Sequence, residues 1–131
     1  MPNSVSQIIW VDGDALVINK FPLSNDFTNY IFAGVQENHP DQMVGDLSYR
    51  NDSNYINVGV LFINVKKFLE DCSSPDVLLN RILNFPNYIC PEQDFINLTY
   101  KDNIKVIKCK KYNYLVNFWG HTNLKDCYVI H

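Results

Sequence analysis

The sequence has no basic block, no long unbroken apolar run and no cysteine spacing that suits a metal ion. Charged residues make up only 19% and the net charge is −3. The chain therefore lacks the positive field that a nucleic-acid backbone attracts. The four lysines between Lys105 and Lys111 alternate with Val106, Ile107 and Cys109, which reads as a strand edge with solvated cations. The longest apolar stretch, Ile56 to Val65, is broken by asparagines and is far shorter than the ~20 residues of a membrane-spanning helix. Met1 to Gln7 has no basic start and leads into a short apolar run, so no secretory signal is expected. The expected location is the cytoplasm, with peripheral attachment to a membrane as an option. Cys72, Cys90, Cys109 and Cys127 are spaced 18, 19 and 18 residues apart. That spacing fits no zinc pattern, and the cysteines read as free thiols.

What is present argues for a packed domain. Hydrophobic residues at 47% and aromatics at 14% exclude disorder. A chain of 131 residues can bury roughly two-thirds of its unfolded surface. No repeat and no linker composition divides it, so residues 1–131 are expected to form one domain or a piece of one.

The stretch Ile8-Ile9-Trp10-Val11-Asp12-Gly13-Asp14 stands out. Its apolar start reads as a buried strand. The strand then meets two carboxylates, and burying either charge unpaired costs several kcal/mol. The strand is therefore expected to end at a cleft that the acids face. An Asp-x-Asp pair in such a place commonly holds a divalent cation through oxygen ligands. A plain Asp-Gly turn after the strand explains the same residues without a metal.

Further along, Tyr30 to Val35 and Tyr55 to Asn64 read as central strands, the second with Asn57 and Gly59 as anomalies. An asparagine in an apolar strand needs partners, and a glycine beside it admits another backbone or a ligand. Residues 36–54 are polar and read as a long loop. Asn64 is placed to cap a helix from Val65 to Asp71. Ser74 and Pro75 are placed to open a second helix to about Phe85, with Val77, Leu78, Ile82 and Phe85 as its buried stripe. Cys90 to Asp94 opens a third helix to about Tyr100, with Phe95, Ile96 and Leu98 apolar and Glu92 and Asp94 in its first turn. Ile104 to Ile107 is a strand, and Cys127 to Ile130 reads as a closing strand that runs into His131.

Taken in order, these phrases resemble glycosyltransferase family 8. The marks are Val11-Asp12-Gly13-Asp14, then Asn57-Val58-Gly59-Val60-Leu61-Phe62-Ile63-Asn64 followed by Lys67-Phe68. Next come Glu92-Gln93-Asp94 with Asn97, then Lys111-Tyr112-Asn113-Tyr114, and last Val129-Ile130-His131. The resemblance covers nearly the whole chain and implies a partial GT-A fold: α/β, with a mixed central sheet flanked by helices. It implies a retaining, Mn²⁺-dependent hexosyltransferase, with Mg²⁺ as the alternative ion. The donor would be a UDP-sugar and the acceptor a saccharide or glycolipid, as in lipopolysaccharide biosynthesis. Asp12, Asp14 and His131 would hold the metal. Gly13, Asn57, Gly59 and Glu92 would line the donor site with Asp12 and Asp14. Gln93 and Asp94 would stand at the reaction centre. Glu92 and Gly13 depart mildly from the family, which more often has Asp and Ala there. Against the family, the chain is also expected to be cut at both ends, without most of the uridine pocket. That raises a second expectation, a non-catalytic relic or a fragment completed by a partner chain. A haloacid dehalogenase-type phosphatase, with Asp12 as nucleophile and Asp14 as acid, shares the opening Asp-x-Asp. It wants Thr or Val where this chain has Leu16.

Overall fold

Two strands with near-continuous apolar sequence lie at the centre of the molecule, because both of their faces are covered. In the computed structural model, which describes residues 5–21, 27–37, 54–86, 90–116 and 123–131, these are β3 (Phe32–Gln36) and β4 (Ile56–Asn64). They pair antiparallel. β1 (Gln7–Val11) lies antiparallel on the outer side of β4, and β5 (Ile104–Ile107) lies parallel to β3. The mixed sheet has the order β1-β4-β3-β5. A small second sheet joins β2 (Leu16–Val17) to β6 (Val129–Ile130). The helices are α1 (Val65–Asp71), α2 (Pro75–Leu83) and α3 (Pro91–Thr99).

One face of the sheet carries Phe32, Ile56, Val58 and Leu61, packed against Phe68, Phe95, Ile96 and Tyr100 from the helical side. The other carries Ala33, Val35, Val60 and Phe62, covered by Phe21, Phe27, Tyr112 and Val129. Val58 and Val60 share parity along β4 yet pack on opposite faces. The cause is an irregularity in the ladder. Gly34 pairs with Leu61 and Gln36 with Ile56, so Val35 alone opposes residues 57–60. A bulge of this kind bends the strand and re-aims its side chains. Here it re-aims Asn57 and Gly59.

Local signals are met closely at α1, where the Asn64 side chain accepts a hydrogen bond from the Lys67 N–H. At α2, Pro75 is in place but Ser74 makes no side-chain cap, and the helix ends at Leu83. None of its residues is fully buried, and Ile82 is 49% exposed. The expected stripe does face inward, but onto an open apolar cleft of about 800 Å³ between the sheet and the helices. α3 packs its apolar Phe95 and Ile96 half-buried against the sheet, yet its most buried side chains are polar. Its buried residues are Gln93, Asp94 and Asn97. The reason is that β4 outruns β1, which reaches only to Val60. Beyond that point side chains of α3 satisfy the strand: Asn97 accepts from Ile56 N–H at 2.7 Å and donates to its carbonyl at 2.8 Å. Gln93 Oε1 accepts from Val58 N–H at 3.2 Å. Buried backbone groups left unpaired would cost more than the burial of these amides.

The lysines of the 105–111 stretch lie on the β5 edge and the turn after it, and all four cysteines are free. The closing strand is shorter than expected, because a 3₁₀ turn at Leu124–Asp126 precedes it. The expected 36–54 loop lies mostly outside the described residues. Among the described residues, no helix is long and apolar enough to cross a membrane.

A polar cluster ties α1 and α2 to the end of α3. Arg81 bridges Asp71 and the Tyr100 hydroxyl, and Tyr100 also meets the Cys72 thiol. Burial, helped by Cys72 and opposed by Arg81, pushes the Tyr100 hydroxyl from 10.0 up to about 12. A raised folded-state value means that the neutral ring stabilises the fold fully below pH 10 and ceases to do so as pH rises through about 12. Alkaline unfolding followed by circular dichroism is therefore expected to show a stability loss across that window. Tyr100→Phe should remove the loss.

Candidate functional site

β1 hands the chain to Asp12 at the edge of the β4 bulge, where the Asp12 N–H donates to the Gly59 carbonyl at 2.9 Å. This fixes the first carboxylate. Trp10 Nε1 donates to Asp12 Oδ1 at 2.8 Å, which orients it further. A turn closed by Ala15 N–H to Asp12 C=O carries Gly13 and Asp14 outward, and the Asp14 side chain is 81% exposed. A Cβ on Gly13 would meet nothing within 4 Å, so no steric demand for glycine exists there.

His131 arrives from the other sheet. Its N–H donates to Tyr114 C=O at 2.8 Å, and its carbonyl accepts from Val116 N–H at 3.0 Å. The residue is held by the backbone on both sides, in parallel with the 114 segment. Its ring lies against Gly59 so closely that a Cβ there would sit 2.1 Å from Cε1 and 2.4 Å from Nδ1. The glycine that looked anomalous in a strand is the floor on which the imidazole rests.

Asp12, Asp14 and His131 thus converge. Each offers a ligand atom, and these atoms lie within 4.8 Å of one another. His131 Nε2 is 3.4 Å from Asp14 Oδ1. The other ring nitrogen is already engaged, with Nδ1 3.1 Å from Asn113 Oδ1. Two carboxylates beside an imidazole nitrogen concentrate electron pairs at one spot, and a positive charge satisfies all of them at once. Hard carboxylate oxygens with one imidazole suit Mn²⁺ and, less well, Mg²⁺. Trp10 on Asp12 and Asn113 on His131 are outer partners of the kind that orient metal ligands. The donor set fits a divalent ion.

The remaining expected residues fall into two groups. Asn57 and Gly59 lie on the bulge next to this cluster. Asn57 Oδ1 accepts from Gly59 N–H at 2.9 Å and from Asn113 Nδ2 at 2.7 Å, while its Nδ2 donates to Glu37 Oε2 at 2.9 Å. On α3, Glu92 is exposed and borders the apolar cleft together with Trp10 and Asp12. Gln93 is bonded to Val58, the neighbour of Gly59. Asp94 is fully buried and accepts from Tyr55 OH at 2.5 Å and from Cys90 N–H at 3.3 Å.

Glu37, Asn113 and Trp10 were not singled out by the sequence. Asn113 stood inside the Lys111–Tyr114 phrase with no role attached, and the available signal was a polar residue between two tyrosines. Glu37 offered no local signal, because its partner Asn57 is 20 residues away.

A mixed sheet flanked by helices, with an Asp-x-Asp turn at the end of an edge strand, is the architecture of GT-A glycosyltransferases, and the chain has that fold in part. Solved structures that share it include two glycosyltransferases. The chain superposes on the apo structure of the bifunctional glycosyltransferase WbbM with TM-score 0.66 and 17% identity, covering 97% of this chain and 28% of WbbM. It superposes on the galactosyltransferase LgtC, in complex with donor and acceptor sugar analogues, with TM-score 0.58 and 18% identity, covering 98% of this chain and 52% of LgtC. The chain therefore spans about half the length of LgtC and less of WbbM. No family model matches the sequence, and no curated protein does.

Proposed function

We propose that the chain is the metal-binding part of a family 8 glycosyltransferase catalytic domain, transferring a hexose from a UDP-sugar to a saccharide or glycolipid acceptor with retention. The observation that carries the reading is the meeting of Asp12, Asp14 and His131 ligand atoms within 4.8 Å, from two separate sheets. A GT-A type fold around them supports it. Asp12 and Asp14 would supply the oxygen ligands and His131 the nitrogen for Mn²⁺, with Mg²⁺ as the alternative. When bound, the ion supplies Lewis-acid stabilisation of the diphosphate leaving group.

The chain's own residues do the rest. Gly59 lets the imidazole approach. Gln93 is held by Val58 near the same bulge, and an amide is a poor nucleophile. Retaining hydrolases instead place a carboxylate there. A front-face displacement in which a diphosphate oxygen takes the acceptor's proton fits this better than a covalent sugar intermediate. We assign Asp94, with its carboxylate bonded to Tyr55 and Cys90, to fixing the start of α3 and hence Gln93. Glu92, exposed at the cleft rim, is the acid open to a donor.

Thermal-shift measurement tests the reading. Addition of UDP and Mn²⁺ together is expected to raise Tm, and neither alone should do so fully, since ligands stabilise only what they bind. A second reading, in which a partner chain completes the donor pocket, is favoured by one observation. The apolar cleft stays open, with Trp10 57%, Leu69 56% and Ile82 49% exposed, and exposed patches of this kind mark interaction surfaces. No shift at roughly millimolar UDP with Mn²⁺ present removes the self-sufficient donor site and leaves a non-catalytic relic or a fragment completed by a partner chain.

A further inference from the structure

A chain of side-chain hydrogen bonds runs from Glu37 through Asn57 and Asn113 to His131. Its direction is fixed at one end by two groups of invariable polarity. The Gly59 backbone N–H can only donate, and it meets Asn57 Oδ1. The Glu37 carboxylate accepts, and it meets Asn57 Nδ2. Both demand the same orientation of the Asn57 amide. Asn57 therefore presents its oxygen to Asn113, and Asn113 must answer with Nδ2, at 2.7 Å. That leaves Asn113 Oδ1, an acceptor, facing His131 Nδ1 at 3.1 Å. The proton of the neutral ring must then sit on Nδ1. Its lone pair sits on Nε2, the nitrogen beside Asp14.

We propose that Asn113 is a positioning residue: backed by Asn57 and Glu37, it holds His131 as the Nδ1–H tautomer so that Nε2 is presented to the ion shared with Asp12 and Asp14. The proposal deepens the metal reading above and rests on it. In solution, neutral imidazole divides between two tautomers, and the ring can also turn. A ligand that must be re-oriented on each binding event binds more weakly than one already set. Losing an outer partner of a metal ligand typically costs about 10–100-fold in affinity. Asn113 is fully buried, so water does not compete for its oxygen. The packing of the ring on Gly59 restrains its tilt but says nothing of its protonation. Asn113 supplies that second restraint.

The test is ¹⁵N imidazole NMR of the metal-free protein at about pH 8, above the ordinary histidine range. The His131 signal is assigned by its loss in His131→Gln. The expected result is a protonated Nδ1 and a pyridine-like Nε2. An Nε2–H ring, or an even mixture of tautomers, overturns the proposal whether or not Mn²⁺ binds. Asn113→Ala is expected to mix the tautomers and to weaken Mn²⁺ binding about 10–100-fold. Asn113→Asp keeps an acceptor toward Nδ1 but opposes two oxygens at Asn57, so it is expected to keep the Nδ1–H signature with a lowered Tm. An alanine variant with the wild-type tautomer contradicts the role given to Asn113. Should that variant not fold, the wild-type spectrum decides alone. Wild-type protein with the expected tautomer but no Mn²⁺ affinity leaves the positioning chain standing and removes the metal reading.

Discussion

Gly59→Ala is expected to disable the site about as thoroughly as removal of its histidine ligand, and to destabilise the fold as well. The added methyl would have to occupy space 2.1 Å from His131 Cε1, 2.4 Å from Nδ1 and 3.0 Å from Asn57 Oδ1. The far end of a flexible side chain could yield at small cost. His131 cannot, because its backbone is pinned by Tyr114 and Val116 and its Nδ1 by Asn113. Gly59 cannot yield either, since its N–H is bonded to Asn57 and its carbonyl to Asp12. Something in this lattice must break. Overpacking of this kind costs about 1–3 kcal/mol in stability. For a domain of roughly this size that corresponds to a fall in Tm of several degrees. The functional loss should be larger, because the displaced ring leaves the two aspartates without their nitrogen partner. Calorimetry and Mn²⁺ binding on the same sample check both halves. An alanine variant with unchanged Tm and unchanged Mn²⁺ affinity would show that the ring does not rest where it is described.

His131→Ala and Asp14→Asn form the second large prediction. Each is expected to weaken Mn²⁺ binding by more than the ~10–100-fold typical of an outer partner, because each removes a direct ligand. Their combination should be markedly less than additive, as for groups that act on one ion. Asp14 is well suited to this test. Its side chain is mostly exposed, so the variant is expected to fold with wild-type Tm, and any loss of affinity reports the ligand alone. Fully additive effects would mean that the two residues serve different ions or none.

The sequence made local structure legible and left non-local commitments hidden. Asn64 was readable as a cap because its partner, the Lys67 N–H, lies three residues away. The β4 strand was readable because its apolar residues are covered on both faces. The polar burial on α3 has a non-local cause. Apolar periodicity favours Phe95, Ile96 and Leu98, but the unpaired backbone of β4 beyond Val60 needs polar partners, and Asn97 and Gln93 supply them. No window of sequence around residue 93 contains that demand. The α2 stripe faces inward as expected but is not fully buried, because burial requires an opposite wall and the cleft beside Leu78 and Ile82 stays open.

The site divides in the same way. Asp12 and Asp14 were legible as two charges ending a strand, and His131 through the ordered phrases of a family. The roles of Asn57 and Asn113 were not, because the contacts that define them join residues 20 and 56 positions apart. Gly59 was marked as a close-approach point, but what approaches it is a side chain of the same molecule 72 residues away. Such a relation exists only after the second sheet has closed against the first.

One titration bears on all of this. Mn²⁺ added to the metal-free protein, with free ion followed by electron paramagnetic resonance, is expected to show one ion bound per chain, and Asp14→Asn should weaken that binding by more than about 100-fold without loss of fold. Wild-type protein that leaves all Mn²⁺ free, or a variant that binds it as tightly as wild type, would contradict a cation site built from Asp12, Asp14 and His131.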